Sequence, residues 1–154
     1  MDPIRTVALL VHPALAIALI MWLLWQHGWR KKGVELSAEE RKVALELHIR
    51  WGERIVWAAI ILVLIAMIGR AIAGLRSGDW TSELVPSSVH GWTGPIGIFL
   101  LWLVVRQGQK TVALKEAGDS FSEQKRTHGR YADFVIALMA LHAFLGFLYI
   151  FTVL

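Results

Sequence analysis

Residues 55–73 read Ile-Val-Trp-Ala-Ala-Ile-Ile-Leu-Val-Leu-Ile-Ala-Met-Ile-Gly-Arg-Ala-Ile-Ala, with Arg70 the single charge. A hydrocarbon layer about 30 Å thick is crossed by about 20 helical residues. In lipid only a helix or a closed barrel satisfies its own backbone, and this run lacks the strict alternation of a barrel strand. It therefore reads as a transmembrane helix. Working outward from it, Ile4–Trp25, Val89–Val105 and Tyr131–Leu154 have the same character. Hydrophobic residues make up 56% of the 154, and the mean hydropathy is +0.53. The expectation is an all-α membrane protein, one four-helix transmembrane domain over residues 1–154.

Charge orients these helices. Thirteen of the sixteen Lys and Arg residues lie between runs one and two (Arg30 to Arg54) or three and four (Arg106 to Arg130). Only Arg5, Arg70 and Arg76 belong to the other side. The positive-inside rule then puts both basic loops in the cytoplasm and both termini outside. Basic charge of this kind sets topology and gives no argument for nucleic acid, since no soluble domain carries it. Met1-Asp2-Pro3 lacks a basic signal-peptide start, so the first run is expected to remain as a span. The absence of cysteine excludes disulfides, iron–sulfur clusters and thiolate zinc. No phosphate-binding glycine loop is present. Trp22, Trp25, Trp29, Trp51 and Trp57 gather near one face, and Trp80 and Trp92 near the other, as an interfacial belt does.

Two helices are expected to extend beyond the lipid. Ser37…Glu40 and Ser120…Glu123 each have the form of a capping box, and Ser87 or Ser88 is positioned to cap the third helix. The helices are then expected over about 4–27, 38–74, 88–115 and 121–153.

Histidine carries the chemistry. Five of six histidines are followed four residues later by glycine or alanine: His12/Ala16, His48/Gly52, His90/Gly94, His128/Ala132 and His142/Gly146. Positions i and i+4 share a helix face, so each imidazole stands beside a shallow slot. Neutral imidazole is an axial haem ligand, a slot such as that at Gly52 or Gly94 gives a flat macrocycle room, and ionisable residues at membrane depth are usually functional. For any single pair, small residues common to membrane helices explain as much. His27, with Lys31 at i+4, reads as interfacial.

The chain also repeats itself. His48-Ile-Arg-Trp-Gly-Glu53 aligns with His128-Gly-Arg-Tyr-Ala-Asp133, and His12 with His90. The histidine spacing is 36 residues in the first half and 38 in the second. Two copies of a helical hairpin about a pseudo-twofold axis would make His12 and His90 mates near the outer face, and His48 and His128 mates near the inner face. Each pair would clamp one iron in the bundle core. Arg50 and Arg130 are placed to meet haem propionates, or to serve as positive-inside anchors.

Histidines on four consecutive helices, alternating outer and inner, resemble the cytochrome b561 class of di-haem transmembrane electron carriers. The small size, the early His-Pro and the histidines of the last helix also resemble a cyanobacterial family of small four-helix membrane proteins. The first resemblance covers the ligand pattern only, because those cytochromes have six helices. It implies two b haems per chain, at His12, His48, His90 and His128; a quinone or small redox partner is the expected partner in electron exchange. No ascorbate-binding motif accompanies it. A rival assignment uses His142. It lies 14 residues from His128 on one helix, about 21 Å of rise, which resembles the respiratory cytochrome b pattern and would displace His12 or His90 as outer ligand. The repeat favours the symmetric scheme, since Leu62 occupies the position equivalent to His142.

The expected function is electron transfer across a plasma or thylakoid membrane. A chlorophyll- or cofactor-binding assembly subunit without turnover, and a helical anchor with structural histidines, are the alternatives. Gly69, Gly74 and Gly97 would permit close helix contact in a homodimer.

Overall fold

The computed structural model describes residues 3–28, 36–78 and 85–153. Four helices account for nearly all of them: α1 (Pro3–His27), α2 (Ala38–Ser77), α3 (Val89–Glu116) and α4 (Ser122–Val153). Each is long and apolar enough to cross a membrane. No strand occurs among the described residues.

Local chemistry sets the ends. Ser37 caps α2 in a reciprocal box: its hydroxyl accepts from the Glu40 amide, and its own amide donates to Glu40 Oε2 at 2.9 Å. Gly78, at φ 83°, closes the same helix in the left-handed conformation that favours glycine. Ser88 caps α3, accepting from the Gly91 amide at 3.2 Å. Gly118, at φ 77°, turns α3 toward α4. There the Asp119 amide donates to the Leu114 carbonyl and the Gly118 amide to that of Lys115, a Schellman closure.

The Ser120 box expected at the start of α4 does not form. α4 begins at Ser122, the Phe121 carbonyl takes the Lys125 amide, and no hydrogen bond joins Ser120 to Glu123. The reason is local. The Schellman turn consumes Gly118 and Asp119, so Ser120 is still leaving that turn when the next helix starts.

α1 packs on α2 and α4, and α3 on α2 and α4. The bundle is thus a square in which sequence neighbours are adjacent and α1/α3 and α2/α4 are the diagonals. Its buried centre is small: Ile55, 1% exposed, with Ala59, Leu101 and Val135. Leu19, Trp22, Leu23, Val56, Ile98 and Val104 pack around it. The outward surface carries Ile17, Trp57, Ile61, Ile68, Phe99, Phe144 and Phe147, all exposed. Such an inversion suits a lipid surround, where apolar side chains gain nothing by hiding from the solvent.

Candidate functional site

Two levels of histidine stand on the diagonals, with the apolar centre between them. At one level His12 on α1 faces His90 on α3, ring centroids 6.3 Å apart and planes at 80°. At the other, His48 on α2 faces His128 on α4, at 6.2 Å and 90°. Ile55 and Val135 each follow the second-level histidine of their own helix by two turns, about 10 Å of rise. The buried quartet therefore forms a dry layer between the levels.

Four of the five rings are held by a partner that decides which nitrogen carries the proton. A carbonyl can only accept. His128 Nδ1 lies 2.9 Å from the Val104 carbonyl, so Nδ1 bears the proton and Nε2 the lone pair. His90 Nδ1 donates likewise to the His142 carbonyl, at 3.1 Å. The reverse link runs through Thr93. Its hydroxyl donates to the His90 carbonyl at 3.0 Å, so at 2.8 Å it receives the proton of His142 Nδ1. His90 and His142 are thus tied in both directions, and their rings stack at 4.1 Å. Tyr149 lies nearly parallel to His90, 6.4 Å away.

The remaining two rings differ. The Gln26 amide nitrogen donates to His48 Nδ1 at 3.0 Å and to the His48 carbonyl at 2.6 Å, which puts the ring proton of neutral His48 on Nε2. His12 Nδ1 is buried and has no hydrogen-bond partner among the described residues. A buried imidazole nitrogen left unsatisfied costs about 1–3 kcal/mol, so this position is one that a ligand or proton donor would stabilise.

The glycine slots are used in a way that the i+4 spacing alone did not foresee. Each receives a side chain from the neighbouring helix. A Cβ built on Gly146 would stand 2.7 Å from Cε1 of His90, and one on Gly94 3.7 Å from Cε1 of His142. On Gly108 it would stand 3.2 Å from Cε1 of His128, and on Gly52 3.5 Å from the Gln26 amide nitrogen. The residue numbers of the pairs 90/146, 94/142 and 108/128 share one sum, as an antiparallel pair in a single register requires. His-x-x-x-Gly on α3 and on α4 is thus one reciprocal fit, in which each ring fills the other helix's notch. Gly108 and Thr93 were legible only through that register, and Gln26 only through the packing of α1 on α2.

The structure brings His12, His90 and His142 together at one level and His48 and His128 at the other. Arg50 and Arg130 are exposed on α2 and α4, near the second level. His27 meets Asp133 across α1 and α4, Nε2 to Oδ1 at 3.4 Å. No cluster of three or more His, Asp or Glu suited to one metal ion occurs among the described residues. The donor set is instead paired imidazoles, which suits a metal whose other ligands come from a macrocycle. When two imidazoles ligate one ion from opposite sides, each nitrogen about 2 Å from it, their ring centroids stand roughly 6–6.5 Å apart. Both diagonal pairs have that separation. Comparison of the chain with family models, characterised proteins and solved structures gave no match.

Proposed function

We propose that this chain is a di-haem b-type transmembrane cytochrome. The observation that carries the reading is the diagonal pairing of His12 with His90 and His48 with His128 at near-equal separation. In this account those four residues would hold the two haems, and the outer level is the one with His12. The haem would supply one-electron chemistry at each level. Val104 and His142, through their carbonyls, hold His128 and His90 in the tautomer that presents Nε2, the outer-shell support that ligating histidines commonly have. For His48 to do the same, the Gln26 amide must turn so that its oxygen receives Nδ1–H. Ile55, Ala59, Leu101 and Val135 exclude water between the levels, so charge transfer is not accompanied by a proton leak. Arg50 and Arg130 offer cations to anionic haem edges at the basic end. By the distribution of Lys and Arg, that end is cytoplasmic. The electron donor and acceptor are taken to be a quinone or another small redox partner. The two halves act as repeats, and a homodimer is compatible with the open faces at Gly69 and Gly97.

A second reading has its own support. His90, His142 and His128 fill glycine notches on neighbouring helices, as structural side chains in an assembly or anchor subunit would. The absorption spectrum of the purified protein separates the readings. Sharp bands that intensify on dithionite reduction are expected for bis-histidine haem. Red-region bands would indicate chlorophyll, and a bare protein spectrum would indicate packing histidines; either overturns the cytochrome.

A further inference from the structure

A groove of about 500 Å³ on the outer surface of α3 is lined by Trp102, Leu103 and Ala113, by Gln107 and Gln109, and by the cations Arg106 and Lys110. It faces away from the bundle. Trp92, Ile96, Phe99, Trp102, Arg106 and Lys110 are all exposed, and at 100° per residue they fall within one third of the helix circumference. From Trp92 to Lys110 the rise is about 27 Å, one hydrocarbon thickness. The stripe therefore begins at one edge of the bilayer and ends at the other in two cations, at the level where Gly108 meets His128.

From this stripe we infer a binding site for one anionic phospholipid in the leaflet on the basic side. Three observations choose this occupant. Neither Arg106 nor Lys110 forms an ion pair among the described residues. Glu53 of α2 accepts from the Gln109 amide at 3.0 Å and pairs with neither cation. The two cations therefore have no anionic partner among the described residues. The Arg106 guanidinium lies 5.7 Å from the Trp102 ring centroid, which holds it along the helix instead of free in water. A phosphodiester then fits between it and Lys110 one turn on. Below the cations, Phe99 and Trp102 stack at 5.9 Å and present a flat apolar wall that suits an acyl chain, not a soluble anion. Basic sites at this depth are recognised places for anionic headgroups. This inference requires only that the helices span a membrane, and it is independent of any haem.

The test uses the full chain in neutral detergent, with thermal unfolding followed after addition of phosphatidylglycerol, phosphatidylcholine or inorganic phosphate. Phosphatidylglycerol alone is expected to raise the midpoint by several degrees. The double variant Arg106→Gln/Lys110→Gln is expected to lose that gain, and the control Lys125→Gln/Arg126→Gln to keep it. Equal gains from phosphatidylcholine would mean a merely apolar surface, and equal gains from phosphate a free-anion site. Loss in the control as well would mean diffuse charge. Each of these results overturns the proposal. Native mass spectrometry of the unaltered protein in an equimolar lipid mixture is independent of the variants. Preferential retention of one phosphatidylglycerol supports the site, and equal retention of both lipids rejects it.

Discussion

At the scale of single residues, the structure turns the histidines' small neighbours from slots into sockets. Gly146, Gly108 and Gly94 differ in how closely a histidine ring approaches them, at 2.7, 3.2 and 3.7 Å from a built Cβ, and that difference can be measured. Gly146→Ala should force His90 out of place and break its bond to the His142 carbonyl, destabilising the bundle by about 1–3 kcal/mol, the usual range for overpacking. Gly108→Ala should cost less, because His128 need move only slightly. Gly94→Ala meets ordinary contact and should be neutral, or stabilising by up to about 1 kcal/mol through helix propensity. Thermal unfolding of the three variants in detergent checks the order. A Gly94→Ala variant less stable than Gly146→Ala would contradict the reciprocal fit. The sequence displayed the His-x-x-x-Gly spacing but not its partner. Spacing along a helix reports which residues share a face, and the contact depends on the register between helices.

At the scale of helices, most of the architecture was legible because lipid leaves few options: long apolar runs must become helices, and caps mark where they leave the membrane. Ser37 with Glu40 and Ser88 behaved as their spacing implied. Ser120 with Glu123 had the same local form and did not cap, because the preceding Schellman turn placed the helix start at Ser122. A four-residue pattern cannot report what the turn before it has already used. The expected consequence is an asymmetry between matching substitutions. Ser37→Ala should cost about 1 kcal/mol, the typical value of a lost N-cap, whereas Ser120→Ala should fall within about 0.5 kcal/mol of the parent. Equal losses in thermal unfolding would show that the second box forms after all. α3 and α4 also hold each other through the His90 Nδ1–H bond to the His142 carbonyl and the His142 Nδ1–H bond to the Thr93 hydroxyl. The Thr93→Val variant, which keeps the shape and removes the hydroxyl, should loosen His142 without displacing His90.

At the scale of the whole molecule, two polar levels separated by a dry apolar layer suit a protein that moves charge between two sides. The topology proposed from the Lys and Arg distribution is open to a direct test. A single cysteine introduced at Lys115 should react with an impermeant maleimide only from the cytoplasmic side, and one at Ser87 only from outside; the opposite pattern would reverse the orientation. The repeat expected from the sequence pairs the same histidines that face each other across the diagonals, as pseudo-twofold symmetry in a square bundle would. His142 was the part that symmetry did not settle, since it joins the level of His12 and His90 without an equivalent in the first half. The central claim is that each diagonal pair holds one haem, and the direct measurement is haem per chain in the single variants His12→Ala, His48→Ala, His90→Ala, His128→Ala and His142→Ala, each purified with its bundle intact. The account predicts two haems in the parent, one in each of the first four variants, and two in His142→Ala. The same haem should be missing from the His12 and His90 variants, and the other from those of His48 and His128. Haem content unchanged in His90→Ala but halved in His142→Ala would contradict it.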